Sequence, residues 1–386
     1  MKIMIAAGEV SGDIHAAYLV RELKKIKSNI YFLGMGSEKL LAEGVDIKID
    51  LSKRGTIGIF EALPNALPVY LAYKKMVALM KAEKPNLLIL VDSQGVNMPL
   101  AKAAKKLGIK TIYYIAPQEW LWGTAKGVKK VAKTLDLIVS IFEKEHETYK
   151  QADGNSVYFG HPLLDIVKPT MSRNEARKSL CVGECDVEIR KEAPIIALCP
   201  GSRTQEIEGL LPILLKAGEL IKKEISKAEF IIPAASTEMI KKIFKYIGDD
   251  FRPKAVIGQT YDILNAADLA ICASGTINLE ASILGTPNIM VYKLSPLTYL
   301  VGKYVLKIGE KLKYFSMPNL LLDERAIPEL VMERAEPKTI SQEALSIILD
   351  KERQNKMKAS FDKLRVKLGQ PGVIGKVARE ILNTRT

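Results

Sequence analysis

A chain of 386 residues, 48% of them apolar, has room for two ordinary domains, each with its own core. Its formal charge of +13 points to phosphate-bearing partners: nucleotides, phospholipids, acidic membrane surfaces or nucleic acid. Aromatic content of 6%, with no recognition-helix, RNP-like or zinc-finger pattern, argues against nucleic acid, and no apolar run approaches the roughly 20 residues of a membrane span.

The first predicted strand, Ile3 to Ala7, empties into Gly8-Glu9-Val10-Ser11-Gly12-Asp13, a glycine turn followed by a helix start. Glycine lets backbone approach a ligand closely, and a helix N-terminus offers free N–H groups and positive dipole. Polar residues so soon after the start also exclude a secretory apolar region, so a cytoplasmic setting, or a membrane surface on that side, is expected. Strands follow at Ile30 to Leu33, Leu87 to Val91, Thr111 to Ile115 and Leu137 to Ser140, alternating with helical stretches as parallel βα units do.

Leu87 to Val91 is wholly aliphatic, as a strand buried on both faces should be. It delivers Asp92-Ser93-Gln94-Gly95-Val96-Asn97 at its C-terminal end, where ligands of open α/β sheets bind. Asp92 is thereby the candidate general base; a helix-capping aspartate is the structural alternative. Glu9 and Asp13 occupy the matching edge after the first strand. Pro117-Gln118-Glu119-Trp120-Leu121-Trp122 holds both tryptophans, which suit the flank of a sugar or acyl chain as well as a core. Gly160-His161-Pro162-Leu163 closes this half, and the hinge is expected between Gly160 and Pro169.

The second half repeats the design. Ile195 to Cys199 leads into Pro200-Gly201-Ser202-Arg203-Thr204-Gln205-Glu206-Ile207, where the Arg203 guanidinium is placed to clamp two phosphates. Ser202 as N-cap with Glu206 favouring the helix dipole explains the acid but not the arginine. After Glu229 to Pro233, the strand Leu269 to Ala273 leads into Ser274-Gly275-Thr276-Ile277-Asn278-Leu279-Glu280, a second diphosphate-suited turn with Glu280 placed for ribose hydroxyls. Asn288 to Tyr292 is the last expected strand, and the tail from Ser341 is helical, interrupted at Gln370-Pro371-Gly372. The expected fold is α/β, two Rossmann-like domains facing across a cleft.

Three histidines and four cysteines show no metal-ligand spacing, so neither metal nor cofactor is expected. Two apolar-basic stretches suit a lipid interface or a packed amphipathic helix: one with Ile59, Phe60, Leu63, Leu67 and Tyr70 beside Lys74 and Lys75, the other from Leu294 to Phe315.

Taken in order, the motifs at Gly8 to Asp13, Asp92-Ser93 with Asn97, Pro117-Gln118 with Trp120 and Trp122, Gly160 to Leu163, Pro200 to Ile207, Ser274 to Glu280, and Met317-Pro318-Asn319-Leu320-Leu321 with Pro328-Glu329-Leu330 closely resemble the lipid-A-disaccharide synthase family. The resemblance implies a GT-B type glycosyltransferase. Residues 1–165 would bind the acceptor and face the membrane, residues 166–344 would bind the UDP-sugar, and the helices of 345–386 would return to the first domain. It implies inverting transfer of 2,3-diacylglucosamine from UDP-2,3-diacylglucosamine to 2,3-diacylglucosamine 1-phosphate, giving a β-1,6 disaccharide and UDP. Asp92, or failing it Glu9, would be the base. Ser202, Arg203, Glu206, Ser274, Gly275, Thr276, Glu280 and Asn319 would hold the donor; Gly8, Ser11, Gly12, Asp13, Asn97 and Gln118 would line the acceptor side. The enzyme would sit on the inner surface of the cytoplasmic membrane, with a homodimer left open. Gln94, Val96 and Asn278 depart from the family's usual proline, phenylalanine and threonine. The rival readings are another GT-B fold UDP-sugar enzyme, such as a UDP-N-acetylglucosamine epimerase, and a non-catalytic basic binding protein.

Overall fold

The computed structural model describes residues 1–51, 66–180, 193–293 and 313–384. The chain divides into two units, Met1–Ile166 with Leu368–Thr386, and Val167–Lys367.

In the first unit seven strands form one parallel sheet: β1 (Lys2–Ala7), β2 (Tyr31–Met35), β3 (Asp46–Ile49), β4 (Leu87–Val91), β5 (Lys110–Tyr114), β6 (Leu137–Ser140) and β7 (Ser156–Tyr158), in the order 3-2-1-4-5-6-7. Central β4 is buried at every residue, which is why its sequence carries no polar alternation. Helix Gln94–Lys106 covers one face with Leu100, Ala101 and Ala104, alongside Met76 and Met80 of helix Ala66–Glu83. Pairing of Ala7 with Val91 sets the loops after β1 and β4 side by side, at the point where strand order reverses.

The second unit repeats the plan with β8 (Ile195–Cys199), β9 (Glu229–Ala234), β10 (Lys254–Ile257), β11 (Leu269–Ala273), β12 (Asn288–Tyr292) and β13 (Glu329–Val331), ordered 10-9-8-11-12-13 and parallel throughout. Strand formation does not end at Tyr292: β13 pairs with β12 from Met290↔Glu329 to Tyr292↔Val331. Cys199 and Cys272 are register partners and free thiols, and burial pushes the Cys272 thiol well up, so both are inert core residues.

The tail rejoins the first unit at Leu368, later than residue 345. Helices Pro337–Ile348 and most of Lys351–Leu368 belong to the second unit, where Ile340, Ala344, Ile347 and Phe361 enter its core. The junction is tight because His161 N–H donates to the Leu368 carbonyl at 2.8 Å and Gly160 (φ +108°) lies where a Cβ would meet that oxygen at 2.9 Å. Asp165 then caps the last helix, Val373–Asn383, accepting from Gly372 N at 2.6 Å and Ile374 N at 2.8 Å. Burial holds His161 down to about 3 and His15 to about 4, so both are neutral structural imidazoles at ordinary pH.

Candidate active site

In the first unit Asp92 is the first residue beyond β4, with φ +53°, and Ser93 follows at φ +45°. Two successive non-glycine residues in the left-handed region cost roughly 1–2 kcal/mol each, so something must hold them. Tyr113 Oη donates to the Asp92 carbonyl at 2.6 Å, and Asn97 Nδ2 donates to the same oxygen at 2.8 Å, to Val91 O at 3.0 Å and to Ala6 O at 3.2 Å. Ser93, not Asp92, takes the N-cap position of helix Gln94–Lys106. The Asp92 carboxylate accepts from Ser11 Oγ at 3.2 Å. Beyond β5, Ile115 is also left-handed at φ +61°, unusual for a β-branched residue. Strain gathered at the ends of adjacent strands marks functional sites more often than ordinary turns.

Several residues expected to face the acceptor have structural work. Asn97 is fully buried, its amide nitrogen bonded to the three carbonyls above. Buried Asp13 caps helix Glu38–Ala42, accepting from Ser37 N at 2.7 Å and Lys39 N at 2.9 Å; burial raises its pKa, opposed by the amides of Ser37, Lys39 and Leu40. Gly12 is buried against Val91 O, and a Cβ on Gly8 would come within 3.1 Å of Ser93 Oγ, so these two glycines pack the loops together. Glu9, Ser11 and Gln118 remain partly exposed at this edge.

In the second unit Arg203 stands at the N-cap of helix Thr204–Glu224, the position expected for Ser202. Glu206 supplies the cap: its Oε2 accepts from Ser202 N at 2.8 Å and Arg203 N at 3.1 Å, while Oε1 pairs with Arg203 Nη1 at 3.0 Å. Gly201 is required here, since at φ +108° a Cβ would lie 2.1 Å from that carboxylate. One acid therefore shapes the loop and aims the guanidinium. At the end of β11, Gly275 and Thr276 are exposed and open helix Thr276–Leu284, while Asn278 Nδ2 ties back to Ala273 O at 2.7 Å. Burial raises the Glu280 pKa against a hydrogen bond with Thr276. Asn319, expected at the donor, is committed to the frame of its own unit. Fully buried, its Nδ2 donates to Ile327 O and Glu329 Oε1, each at 2.9 Å, and its Oδ1 accepts from Ile327 N at 2.9 Å.

Ile59, Phe60 and Leu63 lie outside the described residues, as do Cys181, Cys185 and most of 294–315. Leu67 and Tyr70 are 66% and 50% exposed, with Lys74 over the Tyr70 ring. Among the described residues, no cluster of His, Cys, Asp or Glu is arranged to hold a metal and no helix is long and apolar enough to cross a membrane. Sequence reasoning missed Tyr113; its signal was a tyrosine inside a buried strand, where a hydroxyl must find a partner.

Two parallel sheets with reversing strand order, each carrying polar loops at its strand ends, define a GT-B type sugar-nucleotide fold. The same fold occurs in the UDP-GlcNAc 2-epimerase of Neisseria meningitidis bound to UDP-GlcNAc (TM-score 0.60, 14% identity, covering 100% of this chain and 99% of that one). It occurs also in spinosyn rhamnosyltransferase complexed with thymidine diphosphate (TM-score 0.59, 14% identity, 99% and 100%). Residues 3–374 match the family described as Lipid-A-disaccharide synthetase, and the lipid-A-disaccharide synthase of Nitrosococcus oceani is 36% identical over 368 residues, 95% of this chain and 92% of that protein. The chain belongs to the lipid-A-disaccharide synthetase family, and it is a UDP-sugar-dependent glycosyltransferase of lipid A biosynthesis.

Proposed function

We propose that the chain transfers 2,3-diacylglucosamine from UDP-2,3-diacylglucosamine to the 6-hydroxyl of 2,3-diacylglucosamine 1-phosphate with inversion. The acceptor oxygen forms its bond to the anomeric carbon as the bond to the diphosphate breaks. Asp92 takes the hydroxyl proton, and UDP leaves with the electron pair. Arg203 and the N–H groups opening helix Thr276–Leu284 stabilise the departing charge, and Glu280 accepts from the ribose hydroxyls.

The observation that carries this reading is the Asp92 carboxylate, held on a strained turn at the strand-order reversal and within hydrogen-bond reach of Ser11. Exposed Leu67, Tyr70 and Leu71, with Lys74 and Lys75 on the same helix, support docking at the inner face of the cytoplasmic membrane, where diacylated substrates reside.

The test is incubation of purified protein with both substrates in mixed micelles with excess EDTA, with the tetraacyl disaccharide read by mass. Product is expected, and Asp92→Asn is expected to abolish turnover while UDP affinity stays within about twofold, since no binding contact to UDP is removed. Normal transfer by Asp92→Asn would move the base to Glu9; no product from the unaltered protein under any metal condition would overturn the reaction.

A further inference from the structure

One cavity of about 190 Å³ lies inside the first unit, walled by Asp92, Gln94, Tyr113 and the run Ile115–Gln118. That is short of the roughly 300–1,000 Å³ that enclose a whole drug-sized ligand, so neither a nucleotide nor a diacylated sugar fits entirely. One sugar ring does. Its walls carry a carboxylate, a tyrosine and two primary amides but no cationic side chain, which suits neutral hydroxyls and gives a phosphate nothing to pair with. Gln94 Nε2 donates to Glu119 Oε1 at 2.7 Å, bracing one side of the rim. Among the described residues the Gln118 side-chain amide makes no hydrogen bond, leaving its donors and acceptor for a ligand.

We propose that this cavity seats the acceptor's glucosamine ring by the edge bearing its 4- and 6-hydroxyls, with Gln118 as the residue that reads the 4-hydroxyl. The inference rests on the proposed reaction. In a pyranose the C4–C5 bond, which carries C6, lies opposite C1–C2, while C3 adjoins C4. Seating the ring this way brings the 6-hydroxyl to Asp92 and turns the 1-phosphate and the 2-acyl chain outward, away from a wall that holds a carboxylate and no cation, with the 3-acyl chain leaving over the rim beside the 4-hydroxyl. The other orientations put either the phosphate or an acyl chain into a space too small and of the wrong polarity. Gln118 is thus a specificity-determining residue, and small Ala116 leaves the room that the ring occupies.

The test varies acceptor concentration for the unaltered protein, Gln118→Ala and Ala116→Leu in the micellar assay, using the normal acceptor and its 4-deoxy analogue. Gln118→Ala is expected to raise the acceptor KM about tenfold, the range for losing one buried hydrogen bond, with donor KM within twofold and discrimination against the 4-deoxy acceptor lost. Ala116→Leu, checked for folding by circular dichroism, should raise acceptor KM further. An unchanged acceptor KM in both folded variants, retained 4-deoxy discrimination in Gln118→Ala, or a rise confined to donor KM would overturn the assignment. Should the unaltered protein form no disaccharide, the reaction itself fails, and the cavity is judged by equilibrium binding of micellar 2,3-diacylglucosamine 1-phosphate: weaker binding to Gln118→Ala supports it and equal binding overturns it.

Discussion

Replacing Glu145 by glutamine is expected to stabilise the first unit increasingly as pH rises. Glu145 has no exposed surface; one carboxyl oxygen accepts from Ile141 N at 2.8 Å and the other, buried, has no hydrogen-bond partner. Burial pushes its pKa up from 4.5 to about 8, against the opposing pull of the Ile141 and Phe142 amides. Between those values the folded protein keeps a proton that the unfolded chain has released, so stability falls as pH rises and levels off above about 8. At about 1.4 kcal/mol for each pKa unit, the loss approaches 5 kcal/mol. Glutamine has nearly the same shape and cannot ionise, so it removes this slope. Thermal midpoints of the two proteins should nearly coincide at pH 5 and differ by on the order of 10 °C at pH 9, using the scaling for a domain of this size. Because two units unfold here, amide exchange in β6 gives the local free energy directly. A difference that stays constant from pH 5 to pH 9 would refute the argument.

Tyr113→Phe removes one of the bonds holding the Asp92 carbonyl, and misplacing the base should lower kcat about tenfold or more with acceptor KM little changed; steady-state kinetics decide, and an unaltered kcat would remove Tyr113 from the positioning role. Asn319→Ala deletes three buried hydrogen bonds, so urea unfolding should show a loss of about 2–4 kcal/mol, while UDP affinity of the folded protein stays put. Arg203→Lys keeps the charge but loses the planar fork, and calorimetry should find UDP binding about tenfold to a hundredfold weaker; undiminished affinity would place the diphosphate elsewhere.

The central strands were legible because burial on both faces leaves only aliphatic residues, as in Leu87-Leu88-Ile89-Leu90-Val91. The edge strands were not. Asp46–Ile49 and Lys254–Ile257 carry a lysine and are half-buried, while Ser156–Tyr158 and Glu329–Val331 are only three residues long, and pairing to an existing sheet rather than local pattern makes them strands. The site was half legible for a related reason. An asparagine in a loop or first helical turn reads the same whether it faces a ligand or a backbone carbonyl, and Asn97 and Asn319 turned to carbonyls because folding leaves those oxygens needing donors. Likewise, Arg203 rather than Ser202 at the N-cap follows from Glu206 reaching back to both amides, a choice made by rotamers and not by residue type.

The two halves repeat one another more deeply than their glycine turns suggest. β4 and β11 hold equivalent places in sheets of matching order, and beyond each an asparagine returns to tie down the strand's end, Asn97 to Val91 O and Asn278 to Ala273 O. On that shared frame the chemistry differs in sign. The first turn presents the Asp92 carboxylate, which would repel a diphosphate, whereas the second presents exposed Gly275 and Thr276 at a helix N-terminus, with Arg203 at the helix beyond neighbouring β8. On the proposed reading a diphosphate is expected at the second turn and not at the first. The acceptor hydroxyl is expected at the first, where Asp92 is the proposed base. The proposed division of labour between base and leaving-group site therefore needs only different side chains, Asp92 on one frame and Arg203 on the other, and no difference in fold.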